Sequence, residues 1–251
     1  MWNGKRISVI FPTYNEKRSI YAAIQDAYGT GVVDEVVVVN NNAVSGTSNE
    51  VAKTRAREVF EPRQGYGYSI QRGLREAAGD LLVISEPDGT FLGKDIFKLL
   101  AYADDFQLVL GTRTSPLFIS EGANMGLFLK WGNWTVAKFL QFMFNGPILT
   151  DVGCTMRLIH RKALRKIQRR FTVGGSCFSP EMTMLALLYK VPLVEIPLNY
   201  GPRVGESKVT GKFHRAVLVG LAMIGLILRY RLTHWGFWRL SRRRRVRRRV
   251  Q

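Results

Sequence analysis

Apolar strands that alternate with helices are the feature that most narrows the fold of this 251-residue chain. Runs of apolar, largely β-branched residues predict strands over 7–11, 35–39, 58–60, 80–85 and 107–111. Helical patterns fill the intervals, over 17–28, 47–57, 69–78 and 94–103. A strand without polar alternation is covered on both faces, as in the parallel sheets of α/β proteins. The first half therefore predicts a mostly parallel, Rossmann-like sheet flanked by helices.

Polar clusters follow three of these strands directly. They are PTYNE (12–16), NNN (40–42) and EPD (86–88). The carboxyl ends of parallel strands share one rim of the sheet, and ligands of such folds bind there. The sequence therefore predicts a ligand site where the three clusters meet.

The segment SEPDGT (85–90) has two interpretations. Pro-Asp-Gly is a strong turn signal by itself, and these six residues alone favour a turn. Glu86 and Asp88 are also two carboxylates one residue apart, and Mg²⁺ and Mn²⁺ prefer such hard oxygen ligands. The other two clusters on the same rim move the balance towards a metal site.

The second half has a different character. Residues 121–144 are mostly apolar, a strand and a helix are predicted within 150–164, and a further helix and strand follow within 179–200. Residues 201–212 form a basic, glycine-rich loop, which by itself is typical of a solvated surface. The two cysteines, Cys154 and Cys177, have neither a metal-site spacing nor a disulfide pattern.

The carboxyl-terminal segment combines apolar and basic character. Thirteen apolar residues over 216–228 are fewer than the roughly 20 that a spanning helix needs. Eight arginines and no acids follow from Arg239 onward, and the whole chain has a net charge of +18. Such a charge requires an anionic partner: nucleic acid, a phosphate-bearing substrate or an anionic membrane surface. We expect an interfacial or hairpin-like membrane element; a helix buried in a soluble core is the alternative.

Taken together, these motifs resemble family 2 glycosyltransferases with the GT-A fold, in particular the dolichol-phosphate mannosyltransferase-like, or polyprenyl-phosphate glycosyltransferase, branch. The resemblance covers residues 7–208 and implies a GT-A domain over 1–212, followed by a membrane-associated segment and basic tail over 213–251. It also implies a set of residues that bind the nucleotide sugar: Pro12, Tyr14, Glu16, Asn40, Asn41, Gly65, Glu86 and Asp88. Asn40 stands where the family commonly has aspartate, and Glu86 replaces the first aspartate of its Asp-x-Asp motif.

The resemblance assigns further roles by position. Mg²⁺ or Mn²⁺ would be held by Asp88 and Glu86, and the acceptor phosphate would be met by Arg113, Arg203, Ser207 and Lys208. The last three lie in the stretch RVGESK (203–208), an Arg-x-Gly-x-Ser-Lys pattern that resembles the family's signature and is interpreted as a lid over phosphates. The catalytic set is then Asp88, Asp151, Arg113, Arg203 and Lys208.

The implied reaction moves a sugar from a nucleoside-diphosphate sugar to a polyprenyl phosphate, with inversion, at the cytoplasmic face of a membrane to which the protein attaches peripherally or by shallow insertion. A soluble or glycan hydroxyl acceptor is an alternative, and it would need a general base such as Asp151 or Glu181. A non-catalytic interaction protein on the same fold is a further alternative. Nucleic-acid binding is not expected, because it leaves the acidic and asparagine clusters unexplained.

Overall fold

A computed structural model describes residues 1–123, 126–205 and 213–247 of the chain. Seven strands form one sheet in the order β3-β2-β1-β4-β6-β5-β7. They are β1 Ile7–Thr13, β2 Glu35–Asn40, β3 Arg57–Phe60, β4 Leu81–Ile84, β5 Leu108–Thr112, β6 Arg157–His160 and β7 Leu193–Pro197. Only β6 runs antiparallel to its neighbours, β4 and β5, among the strands of the described chain. The predicted mostly parallel sheet is confirmed.

Eight α-helices cover the sheet within the described ranges. They are α1 Ile20–Gly29, α2 Thr47–Ala52, α3 Tyr66–Glu76, α4 Asp95–Tyr102, α5 Leu127–Phe144, α6 Arg161–Ile167, α7 Phe178–Leu188 and α8 Phe213–Arg247. The helix predicted over 47–57 was too long. It ends at Ala52 because the backbone turns at Thr54, whose hydroxyl bonds Val51 O and Ala56 N, and Arg57 already pairs with Val37 in the sheet.

The core has two halves, one on each face of the sheet. Ile10 and Val37 point into the half covered by α3, α5 and α7, while Val9 and Val38 point into the half covered by α1 and α4. Both faces of the central strands are therefore buried, which is why their sequences show no polar alternation. Helix α3 lies so close to β1 that a Cβ atom at Gly73 would stand 2.3 Å from Ile10 Cγ2.

Helix α8 is one continuous helix, so the hairpin-like arrangement expected from the sequence was wrong. Its stretch Ala216–Thr233 has a mean hydropathy of 1.7, and by length and composition alone it is long and apolar enough to cross a membrane. Only 11% of that stretch is buried inside the protein, unlike the core helix considered as the alternative. Met223 and Ile227 nevertheless belong to the core. The domain boundary predicted after residue 212 borders residues outside the described ranges and stays a prediction.

Candidate functional site

A cavity of about 790 Å³ opens at the carboxyl rim of the sheet and has two unlike walls. One wall is polar and includes the loop after β1, the segment after β4 and the segment after β5. The other is largely apolar and comes from α5 between Phe128 and Val136 and from α8 between Ala216 and Ile224. The polar clusters of the sequence do meet at one rim, as predicted.

The predicted site residues fall into three groups. Seven line the cavity: Pro12, Tyr14, Glu16, Asn41, Glu86, Arg113 and Arg203. Four others lie behind the cavity wall, where they contact the residues that form it or their neighbours: Asn40, Gly65, Asp88 and Asp151. Ser207 and Lys208 lie outside the described residues, so their roles stay predictions.

The loop after β1 is closed by its own carboxylate. Glu16 Oε2 accepts hydrogen bonds from the backbone N–H groups of Tyr14, at 2.6 Å, and Asn15, at 2.8 Å. The Glu16 side chain therefore shapes the loop that forms this edge of the cavity, in addition to lining it.

The two neighbouring asparagines after β2 have different surroundings. Asn41 is buried; its amide donates to Glu61 O and Arg63 O, and its Oδ1 accepts from the Gly65 N–H at 2.8 Å. It thereby fixes the loop that leads into α3. The Asn40 side chain points the other way: its amide donates to the Glu58 carboxylate, and its Oδ1 accepts from the backbone N–H of Ala43.

These contacts bear on the predicted nucleotide contacts. To contact a base, Asn40 would have to give up its hydrogen bonds to Glu58 or Ala43. Its contact with the nucleotide therefore stays a prediction. Gly65 is required by packing, because a Cβ atom there would lie 2.3 Å from Gly174 O.

The carboxylate pair after β4 is bridged by an arginine from a distant segment. Arg203 Nε donates to Asp88 Oδ2 at 2.6 Å, and its Nη2 donates to Glu86 Oε2 at 2.8 Å and also contacts Asp88. The other oxygen of Asp88 accepts from Thr90 N and Thr90 Oγ1. Val204 N donates to Asp88 O, so the 203–204 backbone is anchored to the same turn. The EPD motif (86–88) and the basic loop that contains Arg203 thus meet in one ionic cluster.

The two carboxylates differ in their electrostatics. Burial and the adjacent Asp88 raise the pKa of Glu86 to about 7, in spite of Arg203. Burial alone would also raise the pKa of Asp88, but Arg203 and the two donors of Thr90 hold it below its usual value. Asp88 is therefore the more firmly ionised member of the pair.

The donor set of this cluster fits a divalent cation. Glu86 and Asp88 offer hard oxygen donors, and Mg²⁺ is commonly bound by one or two carboxylates together with substrate phosphates and water. Among the described residues, no group of three or more His, Cys, Asp or Glu side chains is arranged to hold a metal ion. Substrate phosphates and water would therefore have to supply the remaining ligands of a cation bound by Glu86 and Asp88. Arg203 already places positive charge between the two carboxylates, where a cation would be bound.

Arg113 and Asp151 form a second ion pair, at the segment after β5. Arg113 Nε and Nη2 donate to the two oxygens of Asp151 at 2.8 and 3.0 Å, and the backbone N–H groups of Arg113 and Gly153 donate to it as well. Burial alone would raise the pKa of Asp151, but Arg113 keeps it below its usual value. Asp151 is thus ionised, bound by four donors and absent from the cavity lining. In this structure it holds Arg113, and its predicted catalytic role stays a prediction.

Glu181, the other candidate base, is buried in the first turn of α7 and does not line the cavity. Its oxygens accept from Thr172 N and Oγ1, from Val173 N and from the hydroxyl of Tyr230 at 2.6 Å. Glu181 therefore ties the 172–173 loop and α8 to α7.

Sequence reasoning missed the floor of the cavity. Tyr66, Ser69 and Ser179 line it, and the Ser69 hydroxyl is buried without a hydrogen-bond partner among the described residues. Arg157 lies close by and is buried; its guanidinium donates to the backbone oxygens of Ser179 and Cys154. Among the described residues, no carboxylate lies at ion-pair distance from it. An arginine inside the apolar run MRLI was a readable signal, because a buried charge is costly unless it is compensated.

Comparison with known proteins gives matches over most of the chain. The profile of glycosyl transferase family 2 matches residues 8–168. An uncharacterized glycosyltransferase of Mycobacterium tuberculosis is 28% identical over 226 residues, which are 86% of this chain and 94% of that relative. The human dolichyl-phosphate beta-glucosyltransferase is 24% identical over an alignment of 274 residues, with 98% of this chain and 82% of the relative covered. The dolichyl-phosphate hexose transferase of Haloferax volcanii is 25% identical over 228 residues, with 90% and 96% covered.

Solved structures share the fold. Glucosyl-3-phosphoglycerate synthase from Mycobacterium tuberculosis, in complex with Mn²⁺, uridine diphosphate and phosphoglyceric acid, superposes with a TM-score of 0.70. The two proteins are 18% identical, and the match covers 91% of this chain and 79% of that one. The same enzyme in complex with Mg²⁺ and uridine diphosphate gives a TM-score of 0.68. The GT-A architecture expected from the sequence is confirmed.

Proposed function

This chain belongs to glycosyl transferase family 2, and from its site we propose that it transfers a sugar from a nucleoside-diphosphate sugar to a polyprenyl phosphate, with Mg²⁺ or Mn²⁺ as cofactor. The single observation that carries the acceptor assignment is the cavity with two unlike walls. A polyprenyl phosphate has the matching two parts, an anionic head and an apolar chain. The names of two relatives, both dolichyl-phosphate sugar transferases, support the same substrate class.

The donor would bind at the polar wall. Glu86 and Asp88 would hold the divalent cation, which when bound neutralises charge on the departing diphosphate. Arg203, already at these carboxylates, would place a second positive charge near the same phosphates. Solved neighbours bound to uridine diphosphate and Mn²⁺ support a nucleotide-sugar donor of this kind.

The acceptor phosphate would be oriented by Arg113. Its guanidinium lines the cavity, lies 5.2 Å from the ring centre of Tyr200 and is locked by Asp151. The phosphate oxygen attacks the anomeric carbon, the bond from that carbon to the diphosphate breaks, and its electron pair leaves with the diphosphate. The attacking oxygen is already anionic, so no proton has to be removed. A hydroxyl acceptor would need a base, and neither Asp151 nor Glu181 lines the cavity.

A membrane surface would be met by α5 and α8 together. Trp131 of α5 is 62% exposed, and Phe142 of α5 and Leu218 and Leu221 of α8 are exposed as well. Aromatic side chains favour the headgroup level of a bilayer, and apolar burial plus a basic tail supplies the two signals that stable attachment requires. We propose that the protein lies at the cytoplasmic face of a membrane, attached peripherally or by shallow insertion of α8.

Transfer to a short isoprenoid phosphate tests this proposal. The full chain is incubated with labelled UDP- and GDP-sugars, Mn²⁺ and citronellyl phosphate, with 3-phosphoglycerate and a glycan alcohol as competing acceptors. We expect a metal-dependent product from citronellyl phosphate and none from Asp88→Asn. A product formed only from 3-phosphoglycerate would replace the lipid acceptor by a soluble one, the acceptor type suggested by the bound phosphoglyceric acid of the solved neighbour. Product from the alcohol alone would refute the phosphate acceptor altogether.

A further inference from the structure

Glu195 is a carboxylate within a largely apolar strand, β7, and none of the roles above accounts for it. Its backbone pairs with Leu110 of β5, three residues before Arg113. Its oxygens accept three hydrogen bonds from one turn: Thr150 N at 2.5 Å, Thr150 Oγ1 at 3.0 Å and Asp151 N at 2.8 Å. Both oxygens are thus used to fix the 150–151 turn.

That turn carries the residue that holds Arg113. The backbone N–H of Asp151 is bound to Glu195, and the side chain of Asp151 receives Arg113 through Nε, Nη2 and the backbone N–H. Two steps of direct contact therefore connect Glu195 to the guanidinium that lines the cavity.

A group of three threonine hydroxyls is oriented by the same carboxylate. The Oγ1 atoms of Thr112, Thr114 and Thr150 lie 2.9 Å from one another. A carboxylate can only accept, so Thr150 gives its proton to Glu195 and must accept from Thr112 or Thr114. The charge on Glu195 thereby sets the direction of hydrogen bonds across the end of β5, where Arg113 begins.

We propose that Glu195 is a positioning residue for the acceptor site, which fixes the 150–151 turn so that Asp151 presents Arg113 to the anionic group of the acceptor. This inference rests on the proposed function for the identity of that group. Glutamine cannot replace Glu195, because its amide offers one acceptor oxygen to two backbone N–H donors and leaves one of them facing an NH₂ group. Aspartate keeps the charge but is one methylene shorter.

Glu35 provides a matched control. It accepts from the backbone N–H of Ala78 at 2.8 Å and from the hydroxyl of Ser8 at 2.5 Å, the same kinds of donor that Glu195 meets. It also accepts from Arg57 Nη2 at 3.2 Å, so its contacts include an ion pair. It lies at the amino end of β2, at the opposite edge of the sheet from the cavity. Glu35→Gln therefore removes contacts of the same kinds, together with an ion pair, without touching the acceptor side.

Proton uptake gives an independent readout. Burial, with a smaller effect from Asp151, raises the pKa of Glu195 to about 7. Asp151 is the charged residue in direct contact with it, and Arg113 is bound to Asp151 in turn. Lys138 of α5 donates to Gln141, which also accepts from Leu149 N next to the 150–151 turn. Below about pH 7 the protein itself converts Glu195 into a neutral group with fewer acceptor sites, as glutamine does.

The experiment compares the wild-type chain with Glu195→Gln, Glu195→Asp and Glu35→Gln. We expect Glu195→Gln to raise the KM for citronellyl phosphate at least tenfold at pH 8, with the KM for the donor changed less than twofold. Glu195→Asp should recover part of the loss, and Glu35→Gln should change neither KM. The ratio of the KM values of Glu195→Gln and wild type should fall towards one between pH 8 and pH 6, and ionisation of the acceptor cancels in this ratio.

The inference is overturned by an unchanged acceptor KM in Glu195→Gln, or by equal changes in the donor and acceptor KM. If the wild-type chain transfers nothing to citronellyl phosphate, the proposed function fails, and amide hydrogen exchange still decides the role of Glu195. The amides of Asp151 and Arg113 should then exchange at least tenfold faster in Glu195→Gln than in wild type and in Glu35→Gln. Equal exchange in all three proteins refutes the positioning role.

Discussion

Replacing Arg203 with glutamine is expected to tighten Mn²⁺ binding to the free protein while it slows sugar transfer. In the free protein Arg203 places its guanidinium between Glu86 and Asp88, so a divalent cation has to displace it from both carboxylates. Glutamine has the polar end group but no charge, and it leaves the carboxylates to the metal. Transfer falls because the same arginine would face the diphosphate during the reaction.

The magnitude follows from the contacts. A hydrogen bond to a charged group contributes about 1.5–3 kcal/mol net. Arg203 makes such bonds to both carboxylates, but the side chains of Arg203 and Glu86 are each 23% exposed, so water screens the interaction and the lower end applies. A net gain of about 1.4 kcal/mol for the metal corresponds to roughly a tenfold lower Kd.

The assay is titration of Mn²⁺ without nucleotide, followed by the electron paramagnetic resonance signal of the free ion. Arg57→Gln is the matched control, because Arg57 also bridges two carboxylates, Glu35 and Glu76, at the far end of the sheet. Its Mn²⁺ affinity should equal that of wild type. An unchanged or weaker affinity in Arg203→Gln would refute the competition between this arginine and the metal.

Three further outcomes are expected. Asp88→Asn should reduce transfer roughly a hundredfold or more without unfolding the protein, which a rate measurement beside a thermal melt will check; full activity would remove Asp88 from the site. Asp151→Ala should cost about 3 kcal/mol in urea unfolding, because Arg113, whose side chain is 13% exposed at the cavity wall, loses its carboxylate partner; a loss below about 1 kcal/mol would contradict a stabilising ion pair. Deletion of residues 234–251 should keep the contact between Tyr230 and Glu181 but weaken co-sedimentation of the protein with anionic vesicles at low salt. The reason is that each arginine near such a surface contributes about 1 kcal/mol of binding free energy. Unchanged sedimentation would exclude the tail as an anchor.

The strands and the rim of the site could be predicted because both follow from local sequence. Apolar runs such as 35–39 indicate a strand that is buried on both faces. Once the strands are known to be parallel, their carboxyl ends must lie at one rim of the sheet. The direction of β6 could not be derived in this way. A strand of only four residues, RLIH, carries no mark of its direction, which is set by where the chain re-enters the sheet after α5.

The partners within the site could not be predicted because they join distant segments. Arg203 meets Asp88 across 115 residues of sequence, and Asp151 meets Arg113 across 38. The motif around Asp151 suggested a catalytic role, which stays a prediction, but it did not predict the contact with Arg113 that the structure shows. Likewise the adjacent asparagines 40 and 41 look equivalent in sequence, but successive backbone positions at the end of β2 point their side chains in different directions.

Helix α8 separates the cavity from the surroundings of the protein with a single layer of side chains. Val217 and Leu221 line the cavity and are nevertheless 37% and 59% exposed. The apolar wall is therefore incomplete in water, and a bilayer would supply its missing side. Turnover should therefore depend on the presence of a membrane surface as well as on the concentration of substrate. A detergent used to purify the protein would compete with the bilayer for the apolar wall of the cavity. Activity measured in micelles would therefore depend on this competition as well as on the rate of sugar transfer.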